Sequence, residues 1–170
     1  MPRRGSNSDR YPPLYTTAER RRRDSSKWTV VQAVLAPAQF AVFAVSLVLV
    51  MRFLATGAGE WAATASIIVK TCFLAAIMIT GSLWERDVFG RYLFARAFFW
   101  EDVVSMAVVA LHFAYLAALL SGVVAIRYQM YIALGAYAAY VTNATQFLLK
   151  LRLARADAAV SGYVALAAQK

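Results

Sequence analysis

Trp84, Glu85, Asp87, Phe89, Tyr92, Phe94, Phe98, Phe99, Trp100, Glu101 and Asp102 fall within 19 consecutive positions. Interfacial aromatic belts account for some of these rings. Four carboxylates among so many rings are more than a belt requires. Carboxyl groups beside apolar surface hold protons near neutral pH and so can act as acids. Large rings hold a flat aromatic ligand by offset stacking. The stretch is therefore suited to acid–base chemistry on a flat, apolar substrate. Glu101 and Asp102 are the first acid–base candidates, with Glu85 the third. Trp84, Phe99 and Trp100 are candidates to line the ligand.

Further polar residues recur at helical spacing. Glu101, Ser105, His112 and Tyr115 fall within about 80° of one another at 100° per residue, one polar stripe on an apolar helix. His112 lies about 17 Å along that helix from Glu101. The plain structural alternative has Glu101 and Asp102 opening the helix at its positive end and His112 bonding a neighbouring helix. Asn143, Gln146 and Lys150 share a face, as do Gln32, Gln39 and Ser46. Hydrogen bonding between helices, with Lys150 snorkelling, is the structural reading of these two faces. Lys70 lies at mid-depth of its segment, where a lysine needs a partner or water. It binds an anionic group or pairs with a polar group of another segment.

Long apolar segments must position these groups. The chain has 170 residues, 61% hydrophobic and 16% charged, with a positive mean hydropathy of +0.55. Soluble domains carry about 25% charged residues. Disorder is excluded, and an integral membrane protein is indicated. Four blocks are long enough to cross a bilayer, at about 28–51, 61–84, 98–121 and 128–149. Pro37 is expected to kink or loosen the first. Residues 1–27 read as a flexible basic tail with a short helix beside the membrane, and 150–170 as a second tail. The tail before the first block holds eight of the 18 basic residues, the 85–97 loop three and the C-terminal tail four. By the positive-inside rule both termini and that loop are cytoplasmic. The expected fold is all-α: an integral membrane four-helix bundle of two antiparallel hairpins.

Other chemistries are excluded by count. Cys72 is the lone cysteine and His112 the lone histidine. One chain thus forms no internal disulfide, thiolate cluster or bis-histidine site. Neither a GxGxxG nor a P-loop motif is present. The basic residues cluster beside an apolar segment, which points to anionic lipid and not to nucleic acid.

At these residues the sequence resembles a known family. The strings are Gly81 to Trp84-Glu85-Arg86-Asp87-Val88-Phe89-Gly90, then Ala97-Phe98-Phe99-Trp100-Glu101-Asp102 through Ser105 and Met106, then Leu111-His112. Ala63 through Lys70-Thr71, Tyr140 through Asn143, Gln146 and Lys150 to Arg152, and Trp28 through Gln32, Pro37 and Gln39-Phe40 agree as well. They resemble the 3-vinyl bacteriochlorophyllide hydratase family of phototrophic bacteria over about 28–155. Arg86 stands where the family pattern has Lys, and the charge is kept.

The resemblance implies a hydro-lyase. It adds water across the C3 vinyl group of chlorophyllide a or 3-vinyl bacteriochlorophyllide a. The 3-(1-hydroxyethyl) product lies on the way to bacteriochlorophyll a. No redox cofactor is implied, and the magnesium belongs to the substrate. A bacterial inner membrane, cytoplasmic or intracytoplasmic photosynthetic, is the implied location, with other pathway enzymes as potential partners. On chemistry alone, Glu101, Asp102 and Glu85 suit acid and base roles, and His112 suits ligation of the substrate magnesium or an acid role. Trp84, Phe99, Trp100 and Tyr115 suit lining the macrocycle. Lys70, Lys150 or Arg91 suits its propionate. Ser105, Gln39, Asn143 and Gln146 are further binding candidates. A pigment-binding or assembly protein without catalysis is the alternative, and a small transporter is a third reading. Oligomeric state is not read from the sequence.

Overall fold

The computed structural model describes residues 14–167, with side chains as far as Arg152. Among the described residues the protein is all-α, with five helices: α1 Thr17–Ser25, α2 Lys27–Thr56, α3 Glu60–Phe89, α4 Phe99–Ser121 and α5 Ile126–Ala167. Three of them, α2, α3 and α4, are long and apolar enough to cross a membrane. The fourth expected span, 128–149, falls within α5, which runs on to Ala167. Residues 1–13 of the expected flexible tail, and the last three of the C-terminal one, lie outside the described residues.

Local signals set the ends. Thr16 caps α1 with a capping box, its hydroxyl accepting from the Glu19 N–H while the Glu19 carboxylate accepts from the Thr16 N–H. This is the short helix expected beside the membrane. α2 passes through Pro37. It ends where Gly57 adopts a left-handed φ of 74°, a conformation that costs glycine little. α3 likewise ends at Gly90, φ 77°. Glu85, Arg86 and Asp87, expected in a loop over 85–97, are thus the last turns of a helix. No residue before Gly90 breaks it. The connection proper is 90–98.

Two antiparallel pairs result. In the first, Ser46 of α2 meets Ser66 of α3 at 2.7 Å, and Gln32 Nε2 donates to Thr80 Oγ1 at 2.6 Å. In the second, Asn143 Nδ2 of α5 donates to Ser105 Oγ of α4 at 2.8 Å. Ser46 also bonds the Tyr137 hydroxyl of α5, which joins the pairs. Phe43, Ile67, Val108 and Tyr137 belong to the buried core between them. A smaller aromatic cluster lies beneath α1, where Tyr15 stacks on Phe89 at 5.8 Å and Phe98 lies within 6.3 Å. Arg22 closes this end by donating to the Val88 carbonyl at 3.2 Å.

Polarity is distributed inside out. Phe40 is 57% exposed and Val48 65%, whereas Lys70 is fully buried. Lipid tails are as apolar as leucine, so side-chain hydrogen bonds between helices carry much of the specificity of association. The Ser66–Ser46–Tyr137 chain is such a contact. Tyr137→Phe is expected to lower stability by about 1–2 kcal/mol. Thermal unfolding in detergent micelles measures this, and an unchanged midpoint would remove the bond from the account.

Candidate active site

Three carboxylates meet at one end of the molecule, where α3 stops and α4 starts. Glu85 occupies the last turns of α3, and Glu101 and Asp102 the first turn of α4. All three are buried. The start of α4 favours negative charge because its first N–H groups lack intrahelical acceptors. Glu85 and Asp102 are drawn together by the main-chain N–H groups of two adjacent loop residues, Ala95 and Phe94. Glu101 takes a different partner, Lys150 of α5, whose Nζ donates to Oε2 at 2.7 Å. The Lys150 ammonium also lies 5.0 Å from the centre of the Phe98 ring. One carboxylate is therefore ion-paired, while the other two accept from the connecting loop.

The connecting loop is bound to the Glu85–Asp102 pair. The Phe94 N–H donates to Asp102 Oδ2 at 2.7 Å, and the Ala95 N–H donates to Glu85 Oε2 at 3.1 Å. Phe94 adopts φ 59°, the one positive φ on a non-glycine described residue. A bulky side chain there costs of order 1–3 kcal/mol and persists only where the surroundings impose it. The Asp102 carboxylate, accepting the Phe94 N–H, is what imposes it. Sequence reading missed these two backbone donors, because they depend on how the loop folds back.

The remaining predicted residues divide into four groups. Ser105 and Asn143 join the carboxylate end through their mutual bond. Gln146 follows Asn143 by one turn on the same face of α5. Phe99 and Trp100 stand on the outside, 44% and 70% exposed, their rings 5.4 Å apart. Arg91 is exposed. Trp84 is spent on structure: its indole N–H donates to Thr29 Oγ1 at 3.0 Å, and its ring packs edge-on against Phe98.

Gln39, Lys70, His112 and Tyr115 lie apart, in the buried middle. Lys70 precedes Glu85 by 15 residues, about 22 Å of helix. Its ammonium sits 3.8 Å from the centre of the Tyr140 ring and is hydrogen-bonded to no described residue. His112 Nδ1 lies 2.8 Å from the Val108 carbonyl. A carbonyl only accepts, so Nδ1 carries the proton and Nε2 presents a lone pair. The His112 ring lies 6.0 Å from that of Tyr137. Tyr137 and Tyr140 were overlooked, although stepping back from Asn143 by threes reaches both.

Among the described residues, helices long and apolar enough to cross a membrane, with three buried carboxylates gathered where two of them meet, define a helical membrane-type protein with a candidate acid–base site. Comparison with known proteins narrows the class. The 2-vinyl bacteriochlorophyllide hydratase family model matches residues 15–153, and the chain belongs to that family. The 2-vinyl bacteriochlorophyllide hydratase of Rhodobacter capsulatus is 60% identical over 159 residues, covering 94% of this chain and 92% of the relative. That of Cereibacter sphaeroides is 62% identical over 144 residues, covering 85% and 89%. No solved structure matches.

Two outcomes test this geometry. Asp102→Asn weakens the acceptor that holds Phe94, so hydrogen exchange at the Phe94 and Ala95 amides is expected to rise at least about fivefold. Equal exchange in both proteins would show that the carboxylate does not hold the loop. Lys70→Met removes an unpaired ammonium from the apolar interior and is expected to raise stability by roughly 2–3 kcal/mol in detergent. A lowered unfolding midpoint would mean that the ammonium has a stabilising partner.

Proposed function

We propose that this chain is a hydro-lyase that adds water across the vinyl group of a bacteriochlorophyllide-type pigment, with Glu85, Asp102 and Glu101 as its acid–base groups. The 2-vinyl of the relatives' names and the C3 vinyl of current macrocycle numbering are the same substituent. Membership of the family supports the reaction. The gathering of Glu85 and Asp102 on adjacent loop N–H groups, beside the Glu101–Lys150 ion pair, is the observation that carries the mechanism.

Two carboxyl groups gathered away from water share one proton, which makes the Glu85–Asp102 pair the acid. Its proton goes to the terminal vinyl carbon, and the vinyl π electrons form the new C–H bond. The positive charge falls on the carbon attached to the ring and spreads into the macrocycle. The three carboxylates stabilise it electrostatically in a site with little water. Water then forms the C–O bond at that carbon. Glu101, ion-paired with Lys150, takes the proton the water sheds. Addition of water changes no overall oxidation state, so the reaction calls for no redox cofactor. The magnesium is part of the substrate. Phe99 and Trp100 offer exposed faces on which a macrocycle can stack as it arrives from the lipid side.

The same reading places α5 as a fourth membrane-crossing helix beside α4, completing a four-helix bundle. The Lys and Arg distribution supports a cytoplasmic location for both termini and the carboxylate end. The membrane is then the bacterial inner or intracytoplasmic photosynthetic membrane. One observation favours the alternative of a pigment-binding protein without catalysis. His112 presents Nε2 with its Nδ1–H bonded to a carbonyl, the arrangement common among metal-ligating histidines.

Adding chlorophyllide a to membranes that contain the expressed chain separates these readings. A blue-shifted red band and a mass gain of one water are expected. Glu101→Gln and Asp102→Asn are each expected to lower turnover by at least about 100-fold while pigment is retained. Pigment that is bound but never hydrated, and released by His112→Ala, would establish the carrier instead.

A further inference from the structure

Gln146 stands on α5 between two bridges to α4. Three residues before it, Asn143 Nδ2 donates to Ser105 Oγ at 2.8 Å. Four residues after it, Lys150 grips Glu101 at 2.7 Å. Positions three and four apart share a helix face. The Gln146 side chain therefore enters the same seam, level with the turn between Ser105 and Glu101. Two acceptors in the seam have no donor. Asn143 Oδ1 and Gln146 Oε1 are both shielded from solvent, and no described residue donates to either. A buried amide oxygen without a donor costs about 1–3 kcal/mol. Lys150 is turned to Glu101, and the Ser105 hydroxyl accepts from Asn143. The seam thus has two neighbouring sites for O–H donors, one turn from the Glu101 carboxylate.

We infer that Asn143 and Gln146 bind the water that attacks the substrate, and that they hold it against Glu101. The inference rests on the hydratase reading above. A water molecule can share one hydrogen between the two amide oxygens and donate the other to the Glu101 carboxylate, which leaves its lone pairs free for carbon. When one lone pair forms the C–O bond, the O–H bond that points to Glu101 breaks. Its electron pair stays on oxygen, and its proton passes to the Glu101 carboxylate. The terminal carbon has already received a proton from the Glu85–Asp102 pair, so the product gains one water. Return of the proton from Glu101 to the pair resets the site. The water is thereby held by neutral amides, which orient it without competing for its proton. The two amides thus act as water-binding residues, and the carboxylates do the proton chemistry.

Full-length Gln146→Met and Asn143→Leu variants, in membranes supplied with chlorophyllide a, test this. Both replacements keep side-chain bulk and remove the acceptor. Turnover is expected to fall at least about tenfold in each, with pigment retention within twofold of wild type. A Gln146→Ala variant provides a second, independent readout, because it enlarges the seam. In added methanol it is expected to form the 1-methoxyethyl ether at a higher ratio to hydrated product than wild type does. Wild-type turnover in both bulk-keeping variants, with an unchanged ether ratio in the alanine variant, overturns the assignment of the water. A wild-type chain that binds the pigment but adds no water overturns the hydratase reading and this inference together.

Discussion

A charge or amide between these helices has no bulk water to fall back on. Neither lipid tails nor packed side chains replace the hydrogen bonds it gives up on leaving water. An interior polar group is therefore best matched from another helix or from a folded-back loop. The inter-helix contacts of this protein follow from that requirement. Ser46 meets Ser66 and Tyr137, Gln32 meets Thr80, Asn143 meets Ser105, and Lys150 meets Glu101. These contacts set the register of both antiparallel pairs. The apolar residues, spread around the helices, impose far less on how one helix is rotated against another.

The carboxylate end shows the same constraint working on the backbone. Glu85 and Asp102 have few side-chain donors nearby, so the 90–98 connection supplies main-chain N–H groups. Doing so forces Phe94 into a left-handed conformation. A strained loop and a carboxyl pair thus hold one another in place, and a change of charge on either carboxyl alters the grip on the loop. The middle of the molecule follows a different pattern. Lys70 rests on the face of Tyr140, and His112 satisfies only one ring nitrogen. About 17 Å of helix separates His112 from Glu101, too far for them to act on the same atom.

Much of this was legible in the sequence. Apolar blocks placed all four long helices, and spacing alone put Glu101, Ser105 and His112 on one face and Asn143, Gln146 and Lys150 on another. Helix ends were harder. Hydropathy falls at Glu85, but the helix continues until Gly90 permits a left-handed turn, so Glu85 was assigned to a loop. Partner choice was harder still. Lys150 had several plausible partners, and the one it takes depends on the relative rotation of α4 and α5. The Phe94 and Ala95 donors left no trace in residue type, since any residue carries an N–H. Trp84 has a partner that its neighbours in sequence do not foreshadow, its indole N–H turning to Thr29 on α2.

The inside-out polarity affects how the protein withstands solvents. Exchanging one lipid or detergent tail for another alters what touches Phe40 and Val48, but it brings no rival for the hydrogen bonds of Ser46, Tyr137 or Asn143. Small amphiphiles with hydroxyl or amide groups do bring such a rival, since they dissolve in the apolar layer and carry their own donors and acceptors. The helices are therefore expected to tolerate wide changes in tail length and saturation and to be sensitive to short alcohols.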